Sequence, residues 1–204
     1  MFGETSERKT LELAMREAGR LPPGQSLTLK WPVLHEGPVP RFDPKTWDFR
    51  MKGLVAKPLR LTWDEFMRLP MKEVTVDMHC VTRWSRFDVR WEGVPFSEVA
   101  KLAQPKPEAK YVMVLAENGY TTNVSLADLM RPTSLFALKE NGEPLPAEHG
   151  YPMRLVVPNL YAWKSWRKLS RGFGSRTGIT CMGIRSKSRG LIRISRALRR
   201  TRLG

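Results

Sequence analysis

Proline and glycine interrupt this chain so often that no long regular element fits between Gly19 and Pro158, and this punctuation limits the fold to short pieces. The 204 residues include 16 prolines and 15 glycines. Proline removes a backbone donor and fixes φ, while glycine marks turns and left-handed backbone. Trp47 to Met51 alternates like a half-buried strand, and Leu59 to Leu61 starts another that gives way at Thr62 to a capped helix with acids in its first turn. Val74 to Met78 is strand-like and delivers His79-Cys80 at its end. Ser97 is expected to cap a helix through Ala103, and Ser125 a shorter one through Met130. Tyr111 to Leu115 reads as a continuous buried strand and Arg154 to Val157 as a late strand. Strands and helices mix without a regular βαβ alternation and without internal repeats, which predicts an α+β domain with a mixed sheet rather than a doubly wound one.

Ahead of this domain, residues 1–28 read as an N-terminal arm, a polar helix from Ser6 to Ala18 followed by a Pro/Gly turn. The expected domain covers residues 29–165, and a basic tail, non-native or disordered, covers 166–204. An apolar content of 41% with seven Trp and eight Phe excludes a wholly disordered protein. No apolar run reaches the roughly 18 residues of a membrane span. The first residues lack the apolar core of a secretory signal and carry no twin arginine, so a cytoplasmic address is expected.

The net charge of +15 is unevenly placed. Residues 1–148 hold 21 Lys/Arg against 20 Asp/Glu, whereas residues 149–204 hold 14 Lys/Arg and no acid. The body is near neutral, and the basicity belongs to the last quarter.

Two segments carry residue types suited to chemistry. With only Cys80 and Cys181 present, neither a disulfide framework nor a CxxC zinc site is available. Taken alone, Cys80 is what a small buried hydrophobe also looks like. Its neighbours in His79-Cys80-Val81-Thr82-Arg83-Trp84-Ser85 place an imidazole and a cation beside a thiol at a strand end, which favours thiolate, the nucleophilic and soft-metal-binding form. The second segment runs from His149 through Tyr151-Pro152 and the strand beginning at Arg154 to Lys164-Ser165. Cations at both ends of that strand suit an anion clamp, with ordinary solvated flanking charges as the equal alternative. Between them, Glu117 to Asn123 is either a polar functional loop or a plain hairpin turn.

The motifs HCVTRWS, GYTTN and NGEPLPAEHGYPMRLVVPNLYAWKS together resemble the molybdopterin-binding oxidoreductases of the sulfite oxidase superfamily, in particular its small single-domain bacterial and archaeal members. The resemblance covers about Lys30 to Ser165. It implies the molybdenum-molybdopterin cofactor, with Cys80 as the protein thiolate on the metal. By the same resemblance His35, His79, His149, Arg154, Lys164, Ser165 and Arg167 bind cofactor, Tyr120 lies at the active site, and Arg83 is considered for an anionic substrate. The activity implied is two-electron oxygen-atom transfer on a small substrate. The chain has no haem-attachment motif and no cysteine set for an iron–sulfur cluster, so electrons are expected to pass through a separate partner. Where sulfite oxidases carry Arg-Asn-His this chain has Val33-Leu34-His35, which removes one sulfite-binding arginine and argues against sulfite.

After Ser165 the resemblance gives way to Arg/Ser/Gly-rich sequence. One reading makes residues 164–204 an arm for nucleic acid or an acidic partner, in which case the chain is a non-catalytic basic protein. A second makes Leu191, Ile194 and Leu198 the apolar face of a basic membrane-surface helix. The third is a shift of reading frame near residue 166, which leaves the cofactor pocket without its last segment and predicts weak cofactor loading. A cysteine-nucleophile hydrolase is a further reading, but no acid in the local sequence orients His79.

Overall fold

The computed structural model describes residues 2–33, 41–115 and 121–162, with residues 2–5 and a strand at 177–182 given by backbone alone. Its described residues form two mixed sheets, with α-helices interspersed among the strands along the chain. The arm supplies α1 (Phe2–Glu17) and β1 (Ser26–Leu27). Then come β2 (Asp48–Gly53), β3 (Leu59–Thr62), α2 (Trp63–Met67) and β4 (Lys72–His79). The long β5 (Trp84–Pro95) leads into α3 (Phe96–Ala103). The remainder is β6 (Tyr111–Leu115), β7 (Thr121–Ser125), α4 (Leu126–Leu129), β8 (Leu135–Glu140), β9 (Glu143–Pro144), a 3₁₀ turn (Ala147–His149), β10 (Arg154–Val156) and β11 (Thr177–Met182).

One sheet has the order β1-β5-β8-β10, with β4 also on β5 and β9 also on β8; the other has the order β3-β2-β11-β6-β7. The α+β expectation holds: most pairings are antiparallel, and β1–β5 and β2–β11 are parallel. β5 organises the first sheet, because β4 pairs along it while β1 meets its first residues and β8 its last.

Side chains alternate across a strand, and β8 uses both faces. Phe136 and Leu138 enter the main core with Trp47, Phe49, Phe66 and Phe96, whereas Leu135 and Ala137 enter a second, smaller core with Cys80, Trp91, Leu145, Val156 and Ala162. β10 divides in the same way, Leu155 to the main core and Val156 to the second. A strand covered on both faces reads as a continuous apolar run, as Leu-Phe-Ala-Leu does here. The main core glues the two sheets together; the second core carries the cysteine.

Local chemistry accounts for several boundaries. The Thr62 hydroxyl accepts from the Glu65 amide and the Glu65 carboxylate accepts from the Thr62 amide, a reciprocal cap that starts α2. Ser125 caps α4 as expected. α3, however, starts at Phe96 with Pro95 before it and no side-chain cap, so Ser97 lies inside the helix. The buried Phe96 ring and its amide's bond to Ser134 O set that start. β6 is not continuously buried either: Val112 and Val114 are covered while Tyr111, Met113 and Leu115 are half-exposed, because only one face of the strand meets the main core.

The arm is more than a lead-in. Glu12 accepts from the Leu27 amide at 3.1 Å and Arg8 donates to Leu27 O at 3.2 Å, so α1 holds β1 against the start of β5. From the segment beyond Ser165, β11 lies between β2 and β6 in the second sheet; the rest of that segment lies outside the described residues.

Candidate functional site

Cys80 occupies the first position of the tight turn that joins β4 to β5. Its amide donates to Trp84 O at 2.9 Å, and its carbonyl accepts from the Arg83 amide at 3.0 Å. Arg83 takes up left-handed backbone at φ 66°, which lets four residues reverse the chain. Below the turn the last ladder pair is His79 with Ser85. Cys80 is 6% exposed and forms no disulfide. Its sulfur accepts a hydrogen bond from the Thr82 hydroxyl at 3.1 Å, which orients the side chain within the turn. The neighbouring Val81 is 55% exposed and Arg83 is exposed, so the turn has a covered side with the thiol and an open side with the cation.

His79 is buried, and its Nδ1 shares a 2.8 Å hydrogen bond with the Ser85 hydroxyl. Burial holds its imidazole below the ordinary pKa of 6.5; the Asp77 carboxylate pulls the other way and the Arg20 cation adds to the lowering.

The second segment arrives through a short 3₁₀ turn. Gly150 follows it at φ 114°, a conformation closed to a residue with a Cβ, and so directs the chain into β10. Arg154 opens β10, is 2% exposed, and donates from Nη1 to His149 O at 3.1 Å. The alternative of a solvated flanking charge is thereby excluded for Arg154. Trp31, three residues beyond the arm, links these groups: its ring stacks on the His149 imidazole at 3.8 Å, and the Arg154 and Arg86 guanidinium carbons lie 5.0 and 4.9 Å from its centroid. Trp31 also packs on the second core, where Cys80 lies, and the Ala162 amide donates to His79 O at 2.6 Å, tying the turn after β10 to the end of β4.

Thus Cys80, His149 and Arg154 gather around the second core and the Trp31 ring, and Arg83 stands on the outer side of the turn; His79, next to Met78 of that core in the alternating strand, faces the other way, toward Ser85 and Phe87. His35, Tyr120, Lys164, Ser165 and Arg167 lie outside the described residues. Thr82, Ser85, Gln25, Trp31 and Arg86 join the site without having been singled out. Thr82 had a signal, a hydroxyl two residues from a thiol; Trp31 and Gln25 meet the site only through tertiary contact. Among the described residues no three His, Cys, Asp or Glu side chains converge as a metal cage. A metal held by Cys80 would therefore have to bring most of its other ligands, as a dithiolene cofactor does.

Residues 36–172 match the oxidoreductase molybdopterin binding domain family. The chain belongs to that family. It is 47% identical over 150 residues to the uncharacterized oxidoreductase YuiH of Bacillus subtilis, covering 73% of this chain and 76% of that one. It is 34% identical over 148 residues to the protein-methionine-sulfoxide reductase catalytic subunit MsrP of Gluconobacter oxydans, covering 64% of this chain and 47% of MsrP. In structure it is similar to the sulfane dehydrogenase SoxCD of Paracoccus pantotrophus, with a TM-score of 0.61 and 26% identity over 75% of this chain and 43% of that one. This molybdopterin-binding oxidoreductase thus spans about half the length of MsrP and less of SoxCD. Its family match crosses Ser165 and ends at residue 172.

Proposed function

We propose that this oxidoreductase carries the molybdenum-molybdopterin cofactor with Cys80 as its protein thiolate and transfers an oxygen atom to or from a small sulfur-centred substrate. The observation that carries the reading is the disulfide-free Cys80 thiol, buried at a hairpin tip with the Thr82 hydroxyl on its sulfur, in the same core as the Trp31 ring that bears His149 and Arg154. When bound, the cofactor supplies the two-electron redox chemistry.

The protein's own contributions follow from its geometry. The turn presents one soft ligand, and the Thr82 hydroxyl holds its sulfur by a hydrogen bond. His149 and Arg154 are assigned to the pterin and its phosphate; a guanidinium set against the Trp31 and Trp91 rings suits recognition of an anion. Arg83, exposed beside Cys80, is assigned to orient an anionic substrate. His35, His79, Tyr120, Lys164, Ser165 and Arg167 retain the cofactor and active-site roles that the resemblance implies. The sulfur-centred substrate is supported by the names of two relatives, a methionine-sulfoxide reductase subunit and a sulfane dehydrogenase. Electrons pass through a separate partner protein on this reading.

Metal content tests it. Full-length protein from a host that makes the cofactor is expected to carry molybdenum, and Cys80→Ser to lose it while keeping its fold. Equal molybdenum in both proteins, or none in either, overturns the proposal.

A further inference from the structure

The N-terminal arm touches the cysteine turn through one side chain that the proposed chemistry does not use. Gln25 is 5% exposed, and its Nε2 donates to Cys80 O at 2.9 Å. Its Oε1 accepts from the Ser85 hydroxyl at 3.3 Å. That hydroxyl has one proton to give, so with Gln25 as its acceptor it accepts in turn from His79 Nδ1, 2.8 Å away. A buried chain of hydrogen bonds therefore runs from His79 through Ser85 and Gln25 to the backbone of Cys80. The arm's backbone reinforces it: the Ser26 amide donates to Arg83 O at 3.0 Å and the Thr28 amide to Ser85 O at 2.9 Å.

The Cys80 carbonyl accepts from both the Arg83 amide and Gln25, which uses both of its lone pairs. Its amide is taken by Trp84 O. With the peptide groups on both sides of the Cys80 Cα held, φ and ψ are fixed and so is the direction of Cβ. Only χ1 remains free, and the Thr82 hydroxyl bond holds that.

We propose that Gln25 is a positioning residue that aims the Cys80 thiolate, so that the N-terminal arm is part of the metal site; this rests on the reading of Cys80 as the ligand. Gln25 touches backbone rather than sulfur and acts through it. An arm that merely packs against the body would not need a buried amide joined to the carbonyl of the ligand residue.

The test uses the full chain purified without cofactor and follows iodoacetamide alkylation of Cys80 by peptide mass spectrometry, with the Cys181 peptide as internal reference. Gln25→Met keeps length and removes both polar atoms; it is expected to raise the Cys80 rate about tenfold, the factor that one lost buried hydrogen bond gives in a local opening equilibrium. Ser85→Ala takes away Gln25's second partner and spares its bond to Cys80, and a rise of less than about threefold is expected. Equal rates in wild type and Gln25→Met overturn the proposal, as do equal rises in Gln25→Met and Ser85→Ala, the signature of packing alone. Should Gln25→Met not fold, Gln25→Asn, whose amide stops one methylene short, reads the same rate. In cofactor-loaded preparations Gln25→Met is expected to retain less than half the wild-type molybdenum, and full retention overturns the proposal. Molybdenum retained by Cys80→Ser instead removes the ligand reading, a failure that the alkylation rates neither cause nor conceal.

Discussion

The indole of Trp31 and the imidazole of His149 lie parallel, 2° apart in plane and 3.8 Å between centroids. This contact joins the segment just after the arm to the turn that leads into Arg154, and the Trp91 ring meets Trp31 edge-on at 5.6 Å. Trp31→Ala removes the stack, the edge contact and two cation–π partners together. A loss of about 2–3 kcal/mol is expected, below the full cost of a buried aromatic because Trp31 is only partly covered. Trp31→Phe should recover about half of it. Urea midpoints at constant slope measure both, and a loss under about 0.5 kcal/mol would show that the stack adds nothing.

Gly93 is expected to be irreplaceable. A Cβ there would stand 2.0 Å from Phe136 O and 2.7 Å from Ala137 Cα, both backbone atoms of β8. The β5–β8 register shifts at this residue, so the two strands approach too closely for any side chain. Gly93→Ala should cost upwards of about 3 kcal/mol or yield insoluble protein. A soluble variant with wild-type thermal stability would contradict this.

The cap of α2 offers a smaller, graded test. Thr62→Ala removes the acceptor for the Glu65 amide and should cost about 1 kcal/mol, whereas Thr62→Ser should stay within a few tenths. Thermal melts of the three proteins distinguish them.

Acid should weaken the fold through Asp48. Burial alone would raise its pKa, but hydrogen bonds from Arg50 at 2.7 Å and Arg60 at 2.7 Å outweigh that and hold it below the ordinary 3.8. A carboxyl that binds protons less readily folded than unfolded stabilises the fold above the unfolded pKa, and that stabilisation is lost as pH falls through the folded value. Asp77, lowered through Arg20 against its own burial, acts in the same direction. Urea midpoints taken from about pH 6 down to about pH 3 should fall less steeply in Asp48→Asn than in wild type. Identical slopes would mean that the pair with Arg50 and Arg60 is too well solvated to matter.

Period and punctuation made much of the fold legible. β2, β3 and β4 stand close to where alternation placed them, and α2 and α4 start at the hydroxyls that their sequences advertised. β5 and β8 were missed. In β5 the polar and charged residues that punctuate Trp84–Pro95 conceal a strand paired by β4, β1 and β8. In β8 the run Leu-Phe-Ala-Leu has no period because each face fills a different core. The candidate site was legible where a motif is contiguous, at Cys80 and from His149 to Arg154. It was not legible at Gln25 and Trp31, which meet the site across 55 and 118 residues of chain.

Residue order alone carried the class of fold, the two segments that hold the candidate site residues and the family to which the chain belongs, because these depend on short spans of sequence. Only the tertiary structure decided that Arg154 is buried rather than solvated, that the thiol is held by Thr82 from within its own turn, and that the arm reaches the cysteine through Gln25. The physical reason is that burial and hydrogen-bond partnership depend on which distant backbone comes alongside. Here that is the pairing of β1 with the start of β5, a contact that no local pattern of residues encodes.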